Sequence, residues 1–228
     1  LEDCGSQIVA GWATGISAGP ADESGQTLDF PISNDNSALF SVQPSVSPAG
    51  DLTYTPAANA NGSAVVTVAL HDDGGTANGG IDTSAAQTFT ITVTAVNDAP
   101  DFTKGADESV LEDCGVQTVT GWATGISSGP ADESGQTLDF PISNDNGALF
   151  SVQPSVSATG DLTYTPVADA NGLALVTVTL HDNGGTANGG IDTSAAQTFT
   201  ITVTAVNDTP VADDQAMATD EDVAVAIT

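Results

Sequence analysis

Hydrophobic and polar residues alternate along this chain in short runs that end at Gly, Pro, Asn or Asp. The clearest run is QTFTITVTAV (residues 87–96), in which Phe89, Ile91 and Val93 would face one side and the threonines between them the other. Such a period of two predicts half-buried β-strands. Five further runs lie between residues 7 and 72, and no segment shows a helical period. The pattern therefore predicts an all-β protein.

The chain repeats itself. Residues 1–100 return as residues 111–210, and about one paired position in seven differs. Solenoid repeats are about 20–50 residues long, whereas this period has the size of a whole domain. The sequence predicts tandem domains joined end to end: repeat 1 at residues 1–98, repeat 2 at residues 99–208, and the leading strand of a third repeat at residues 209–228.

Each repeat is predicted to be a seven-stranded antiparallel Greek-key sandwich. Six strands come from the alternating runs, and DFTKGADESVLED (residues 101–113) supplies a seventh, leading strand to repeat 2, whereas the printed sequence holds no such strand for repeat 1. Pro31 and Pro44 interrupt two runs and predict edge strands or bulges. The predicted core of repeat 1 consists of Trp12, Phe30, Leu39, Tyr54, Val66, Leu70, Phe89 and Ile91.

The charge balance is strongly acidic. Thirty Asp and Glu residues face a single base, Lys104, and the formal net charge is −29. Such a surface repels nucleic acid, which is bound through Lys and Arg, and anionic membrane surfaces. No apolar run is long enough to insert into a membrane. The acids gather in Asp- and Asn-rich turns, which favours cation binding over the alternative that they only keep the surface hydrated.

Each repeat contains one cysteine, Cys4 or Cys114, so a disulfide within a repeat is excluded. A bridge between the two needs Cα atoms within about 7 Å, whereas equivalent points of sandwiches joined end to end lie roughly 30 Å apart. Two interpretations stay open, a buried thiol in a strand, which we favour, and a crosslink between chains.

The linker and its surroundings resemble the cadherin repeat, and more closely the cadherin-like tandem repeats of large bacterial surface proteins. NDAPDF (residues 97–102) and SVLED (residues 109–113) match in spacing the cadherin linker D-x-N-D-N-x-P and the V-x-E that follows it. The pair Asp132-Glu133 resembles the cadherin D-x-D loop, and Asp182 in HDNGG resembles its later acidic turn. The resemblance spans the whole repeat and implies a cadherin-like, Ig-like sandwich with calcium at the domain junctions.

A physical argument places these residues together. In a seven-stranded sandwich the loops after strands two and six lie at the end where the chain enters, and the turn ending the first strand lies at the opposite end. Calcium prefers six to eight oxygen ligands, and carboxylates crowded without a base repel each other unless a cation is present. The predicted metal ligands at the junction are Glu2, Asn97, Asp98, Asp101, Asp132, Glu133 and Asp182. Their equivalents by repeat are Asp22, Glu23, Asp72, Glu112, Asn207 and Asp208.

The sequence departs from the cadherin pattern in two places. Ala95 and Ala205 stand where the linker motif has its first Asp, and AANANG (residues 57–62) or VADANG (residues 167–172) replaces the L-D-R-E loop. Both losses predict fewer ions per junction than a cadherin holds. The alternative is that N-D-x-P only forms a tight turn and the acids are solvated.

These observations favour a non-enzymatic role, because no nucleophile elbow or Ser-His-Asp order is present. The leading hypothesis is a set of calcium-stiffened spacer repeats in an extracellular bacterial adhesin or surface fibre, with neighbouring repeats or copies of itself as partners and a cell-surface or matrix ligand as a further one. The second hypothesis is a filament subunit that docks by donor-strand exchange. The third is a carbohydrate- or ice-binding module.

Residues 211–228 separate two expectations. If residues 1–228 are a complete subunit, this tail would insert into repeat 1 of the next copy and build an open-ended filament. If they belong to a longer chain, the tail would be the covalent start of a third repeat, which we favour because the linkers look continuous.

Overall fold

A computed structural model describes residues 1–212 and residue 221; the predicted leading strand of the third repeat therefore lies almost wholly outside the described residues. Within the described part, regular structure is β-strand apart from six 3-10 turns of three residues each. The all-β prediction is confirmed. The 3-10 turns are Ala21–Glu23, Ser37–Leu39, Ala77–Gly79, Ala131–Glu133, Gly147–Leu149 and Ala187–Gly189.

Residues 1–98, all of them described, form two three-stranded sheets, β1-β5-β4 and β3-β6-β8, and a separate pair, β2-β7. The run around Pro31 is split into β2 and β3 because proline has no N–H for a central ladder. The strands are Gln7–Val9 (β1), Leu28–Asp29 (β2), Ile32–Asn34 (β3), Phe40–Val46 (β4), Leu52–Pro56 (β5), Gly62–Val68 (β6), His71–Asp72 (β7) and Gln87–Val93 (β8).

Residues 99–208, also fully described, form a three-stranded sheet, β11-β16-β15, and a four-stranded sheet, β10-β19-β17-β14. The repeat thus has more and shorter strands than the seven predicted. They are Asp101–Thr103 (β9), Glu108–Leu111 (β10), Gln117–Val119 (β11), Thr124–Ser127 (β12), Leu138–Asp139 (β13), Ile142–Asn144 (β14), Phe150–Val156 (β15), Leu162–Pro166 (β16), Gly172–Val178 (β17), His181–Asp182 (β18) and Gln197–Thr204 (β19).

The leading segment of repeat 2, residues 100–111, forms two strands with different partners. Strand β9 pairs antiparallel with β12, whereas β10 runs parallel to β19. The prediction of a purely antiparallel sandwich is therefore wrong at this one pair. Between the two layers, Phe102 is buried and packs edge-on against Phe140, with ring centroids 5.1 Å apart.

The two repeats have separate hydrophobic cores of unequal size. In repeat 1 only Leu39, Val66 and Ile91 of the predicted core are buried. Trp12, Phe30, Tyr54, Leu70 and Phe89 are half-buried. Their counterparts in repeat 2 are all buried, namely Trp122, Phe140, Tyr164, Leu180 and Phe199. The cause is the leading segment, which covers the core of repeat 2 and has no counterpart among the described residues of repeat 1.

Proline also shapes an edge strand in each repeat. Strand β4 is an edge strand, and its register against β5 shifts between Val42 and Ser45, around Pro44. Strand β15 shifts in the same way around Pro154. The predicted edge bulge at Pro44 is confirmed.

Both cysteines are exposed, so the prediction of a buried thiol is wrong. Each follows an aspartate with positive φ, Asp3 at 55° and Asp113 at 63°, and a glycine with positive φ comes next. This sharp turn carries the chain out of the sheet and places the thiol on the surface. Among the described residues, no helix is long and apolar enough to cross a membrane.

Candidate metal centre

The linker between the repeats is bonded by acidic side chains from both sides. The Val96 N–H donates to Glu2 Oε1 of repeat 1 at 2.6 Å. The Asp98 N–H donates to Glu133 Oε1 of repeat 2 at 2.8 Å. Glu2 is 4% exposed and Glu133 is 7% exposed, so both carboxylates are buried against the linker. The junction thus brings Glu2, Asp98 and Glu133 together.

Asn97 fixes the linker to the N-terminal end of repeat 2. Its Nδ2 donates to Asp182 Oδ1 at 3.0 Å and to the Ile191 carbonyl at 2.7 Å, and its Oδ1 accepts from Gln136 Nε2 at 2.7 Å. Gly184 must be glycine here, because a Cβ at that position would overlap the Asn97 side chain. Asn97 therefore acts through its amide as a structural anchor that orients Asp182.

One hydrogen bond among the described residues runs directly from a loop of repeat 1 to a loop of repeat 2. Asn61 Nδ2 donates to Asp132 Oδ2 at 2.6 Å and also to Glu2 Oε2 at 3.2 Å. The loop of residues 57–61 therefore contributes to the junction, although its sequence lacks the acidic motif of the cadherin pattern.

Local backbone chemistry positions Glu133. The 3-10 turn Ala131–Glu133 follows Gly129, whose φ is 135°, and Pro130. A Cβ on Gly129 would collide with the Glu133 carboxylate, so glycine leaves the space that the carboxylate occupies. Ser128 Oγ donates to the Glu133 carbonyl at 2.8 Å and closes the turn. This loop is built around a carboxylate that points into the junction.

Three carboxylate oxygens at the junction are buried without a hydrogen-bond partner: Asp98 Oδ2, Glu133 Oε2 and Asp182 Oδ2. Asp182 is fully buried. A buried polar atom left unsatisfied costs about 1–3 kcal/mol, and more when it carries charge. Carboxylate and amide oxygens are the ligands that calcium prefers. Asp98, Glu133 and Asp182 therefore offer oxygens of the type that calcium binds, with Glu2, Asp132 and Asn61 beside them, although their carboxylates do not converge within the 4.8 Å found for Asp113, Asp169 and Asp208.

Electrostatics agree with this geometry. Burial, together with the nearby charges of Asp3, Glu2 and Asp132, raises the pKa of Asp98 above its ordinary value. Burial also raises the pKa of Glu133, and the charges of Asp98, Asp132 and Asp182 add to the rise. Ionised carboxylates are thus disfavoured at this place in the folded chain, which is the condition that a bound cation would reverse.

These pKa shifts predict how stability depends on pH in a chelator. A carboxyl whose folded pKa is raised binds its proton more tightly when folded, so its contribution is full below the unfolded pKa and is lost as pH rises through the folded pKa. We expect the melting temperature to rise as pH falls from 7 towards 4.5, the ordinary value for Glu. Thermal unfolding in a chelator checks this, with Glu133→Gln, which has no proton to bind, as a control with a smaller rise. A melting temperature that falls steadily over the same range would contradict it.

The C-terminal end of repeat 2 carries an acidic cluster whose counterparts at the junction are Asp3, Asn59 and Asp98. Oxygens of the exposed Asp113, Asp169 and Asp208 lie within 4.8 Å of one another. Burial and the neighbouring charges of Asp169 and Asp113 raise the pKa of Asp208. Glu112 corresponds to Glu2, because its Oε1 accepts from Val206 N–H at 2.6 Å. At its C-terminal end each repeat therefore holds the chain that leaves it through the same glutamate, Glu2 in repeat 1 and Glu112 in repeat 2.

The remaining predicted ligands are placed less centrally. Asp101 is exposed on β9 and no hydrogen bond joins it to the junction residues. Asp22, Glu23 and Asp72 lie at the N-terminal end of repeat 1, where no described linker residue packs against them. Asn207 is exposed and donates to the Asp208 carbonyl at 3.1 Å. The assignment of these and of the other predicted residues as metal ligands stays a prediction.

Sequence reasoning missed Asp3, Asn59 and Asn61 and their equivalents Asp113, Asp169 and Asn171. The Asn59 N–H donates to Asp3 Oδ1 at 3.1 Å, and the Asp169 N–H donates to Asp113 Oδ1 at the same distance. The 57–62 loop, for which the sequence predicted only a loss of acidic ligands, reaches the junction through the Asn61 amide. One sequence difference could have drawn attention to this loop. Asn59 of repeat 1 is replaced by Asp169 in repeat 2, which puts a carboxylate at the same position.

Comparison with known proteins finds similarity in solved structures only. Human protocadherin-24 EC1-2 is 13% identical, with 89% of this chain and 99% of that chain covered and a TM-score of 0.49. Chicken VE-cadherin EC1-2 is 19% identical, with 90% and 94% covered and a TM-score of 0.36. Domains 4-9 of the surface layer protein SbsC are 17% identical, with 88% and 24% covered and a TM-score of 0.32. No protein-family model and no curated protein matches the sequence. At these identities the similarity concerns the fold alone.

Proposed function

We propose that the chain is a pair of calcium-stiffened spacer repeats, residues 1–98 and 99–208, of an extracellular bacterial adhesin or surface fibre. The observation that carries the proposal is the set of three buried, unpartnered carboxylate oxygens on Asp98, Glu133 and Asp182. They come from the linker and from repeat 2, and Glu2 of repeat 1 is buried against the same linker. A cation that drew these carboxylates together would join the linker, which Glu2 holds to repeat 1, to repeat 2.

The mechanism is geometric. Direct bonding between the loops of the two repeats rests on Asn61–Asp132 among the described residues, and the other bonds at the junction run through the linker. Calcium supplies two positive charges that offset the repulsion among the carboxylates. Glu2 holds repeat 1 to the linker at Val96, and Glu133 holds the linker to repeat 2 at Asp98. A cation bound between these carboxylates would restrict bending of one repeat relative to the other.

The surface chemistry supports a place outside the cell. The formal net charge of −29 favours hydration and leaves little basic surface for nucleic acid. Neighbouring repeats or further copies of the chain would be the partners along the fibre, and a cell-surface or matrix ligand would be contacted elsewhere. We propose a structural role and no catalytic one.

Small-angle scattering and thermal unfolding in a chelator and in millimolar calcium test the proposal. We expect calcium to raise the melting temperature, because a ligand that binds only the folded state stabilises it by about 2.7 kcal/mol at a hundred times its Kd. We also expect scattering in calcium to show a longer maximum dimension of the chain and a narrower range of its conformations. Magnesium at equal concentration is the control, because it dehydrates reluctantly and demands octahedral geometry. Identical melting and scattering with and without calcium would rule the proposal out.

A further inference from the structure

The chain contains six Asn-Gly dipeptides, and this is the dipeptide that most readily undergoes a spontaneous reaction at the asparagine side chain. Glycine favours the reaction because it has no Cβ to hinder the approach of its own nitrogen to the side chain before it. In a folded protein the rate also depends on whether the asparagine side chain and the main chain can move. The six asparagines are Asn61, Asn78, Asn146, Asn171, Asn183 and Asn188.

The reaction converts asparagine and water into an acidic residue and ammonia. The main-chain nitrogen of the glycine bonds to Cγ of the asparagine, the Cγ–Nδ2 bond breaks, and Nδ2 leaves as ammonia with the proton that the glycine nitrogen loses. Water then opens the resulting succinimide ring at one of its two carbonyls. Opening at Cγ gives aspartate, whereas opening at the main-chain carbonyl gives isoaspartate, in which the main chain runs through Cγ and is one carbon longer.

Hydrogen bonds hold four of the six side chains. Asn146 Nδ2 donates to a main-chain carbonyl at 3.0 Å, and Asn183 Oδ1 accepts from a main-chain N–H at 2.9 Å. Asn61 and its counterpart Asn171 each donate to a buried glutamate of the same repeat at 3.2 Å. A side chain fixed in this way must break its hydrogen bond before its Cγ can meet the glycine nitrogen, so these four sites are protected.

Asn78 and Asn188 lack this protection. Both are exposed, and neither side chain has a hydrogen-bond partner among the described residues. They occupy equivalent glycine-rich loops with left-handed backbone, at φ values of 56° and 59°. A Cβ on the following residue, Gly79 or Gly189, would have nothing within 4 Å, so open space surrounds the reacting nitrogen. These two sites therefore combine a reactive dipeptide with a free side chain and an uncrowded main chain.

We propose that Asn78 and Asn188 are sites of spontaneous deamidation in the folded protein, and that isoaspartate formation at Asn188 loosens the linker between the repeats. Each asparagine lies inside a 3-10 turn, which at Asn188 is closed by a hydrogen bond from the Gly190 N–H to the Ala187 carbonyl at 3.0 Å. An extra main-chain carbon within this turn changes the distance that the hydrogen bond must span. Aspartate adds a negative charge and leaves the main chain unchanged.

The loop that contains Asn188 is bonded to the linker. The Ile191 N–H donates to the Asn97 carbonyl at 2.8 Å, and Asn97 Nδ2 donates back to the Ile191 carbonyl at 2.7 Å. Gly190 is buried, and a Cβ there would lie 3.0 Å from the Asn97 Cβ. The equivalent loop of repeat 1 makes no such contact among the described residues. A longer main chain at Asn188 should therefore weaken the hold on Asn97, whereas the same change at Asn78 should leave the linker as it is.

Incubation of the folded chain at mildly alkaline pH in a chelator, followed by peptide mapping with mass spectrometry, tests the two sites. We expect Asn78 and Asn188 to deamidate at least about fivefold faster than the other four, which is the factor for one hydrogen bond that must open first. The denatured chain is the control, because all six dipeptides should react there at similar rates. Similar rates at all six sites of the folded chain, or protection of Asn78 and Asn188 by folding, would overturn the proposal.

Hydrogen exchange at the Ile191 amide measures the effect on the linker, because exchange reports local opening. We expect this amide to exchange several-fold faster once Asn188 of the parent chain has reacted. Asn188→Gly and Asn78→Gly are matched variants, since glycine keeps the left-handed backbone and has no amide to lose. Ageing should speed exchange in Asn78→Gly and not in Asn188→Gly.

Asn188→Asp separates charge from main-chain length. It supplies the carboxylate without the extra carbon, so freshly prepared Asn188→Asp should keep the slow exchange of the Ile191 amide. Unchanged exchange in a parent chain that has reacted at Asn188, or equal acceleration in aged Asn188→Gly, would overturn the effect on the linker. Both measurements are made in a chelator, so their outcome is independent of whether the junction binds calcium.

Discussion

Replacing Trp122 with alanine should destabilise repeat 2 by about 3–5 kcal/mol, the usual cost of deleting a large buried aromatic side chain. Trp122 is 4% exposed, packs against Phe199 and donates to the Ala106 carbonyl, so the substitution opens a cavity and also releases the leading segment. Trp12→Ala in repeat 1 removes the same side chain from the same sequence. It should cost clearly less, because Trp12 is half-buried and lines an open cavity of about 400 Å³ beside the core of repeat 1.

Differential scanning calorimetry of the two variants measures this asymmetry, because each repeat has its own core and should unfold in its own transition. The repeats are matched controls for each other, since the residues that line this cavity in repeat 1 and their counterparts in repeat 2 differ only at Ala69/Thr179. Equal losses of stability would show that the leading segment contributes little to the core of repeat 2.

The all-β fold was predictable because the alternating runs are long and carry their own turn residues. Strand β8, with Phe89, Ile91 and Val93 on one face, is the best example, and the structure places β8 and β19 in the expected runs. The two-part path of the leading segment was not predictable. Lys104, Gly105 and Ala106 carry no alternation, and their course depends on Gln197 and Trp122, which lie far along the chain.

The sequence pointed to the linker residues Asn97 and Asp98 and to Glu2 and Glu133, but not to the asparagines of the 57–62 loop. Glu2, Asp98 and Glu133 stand out because carboxylates rarely gather without a base. Asn59 and Asn61 lie in a loop whose Asn and Gly content is equally typical of an ordinary turn. Their role depends on a positive φ of 54° at Asn59 and on the approach of Asp132 from the other repeat, which are properties of the tertiary structure.

The leading strand also explains why the hydrophobic pattern overestimated the core of repeat 1. A half-buried strand has the same alternation whether or not another segment covers it. Trp12 and Trp122 are therefore indistinguishable in sequence and differ in burial, because only Trp122 lies under residues 100–111.

Replacing Glu133 with glutamine should weaken calcium binding at the junction by about tenfold or more, because affinity for calcium depends on the number of charged ligands. The same change should raise the melting temperature in a chelator. The pKa of Glu133 is raised by burial and by Asp98, Asp132 and Asp182, so its charge is unfavourable in the folded chain. Glutamine keeps an oxygen to accept from the Asp98 N–H and removes the charge. A metal ligand should therefore show weaker calcium binding together with a higher melting temperature in a chelator. A residue that only holds the loop in place should show neither.

Glu23→Gln is the matched control, because Glu23 occupies the equivalent 3-10 turn of repeat 1 with no described linker residue bonded to it. It should change neither calcium affinity at the junction nor the melting temperature in a chelator by a comparable amount. Calorimetric titration with calcium and thermal unfolding in a chelator give the two readouts for each variant. If Glu133→Gln lowered the melting temperature in a chelator and left calcium affinity intact, Glu133 would be a structural residue and the ion would have to be held without it.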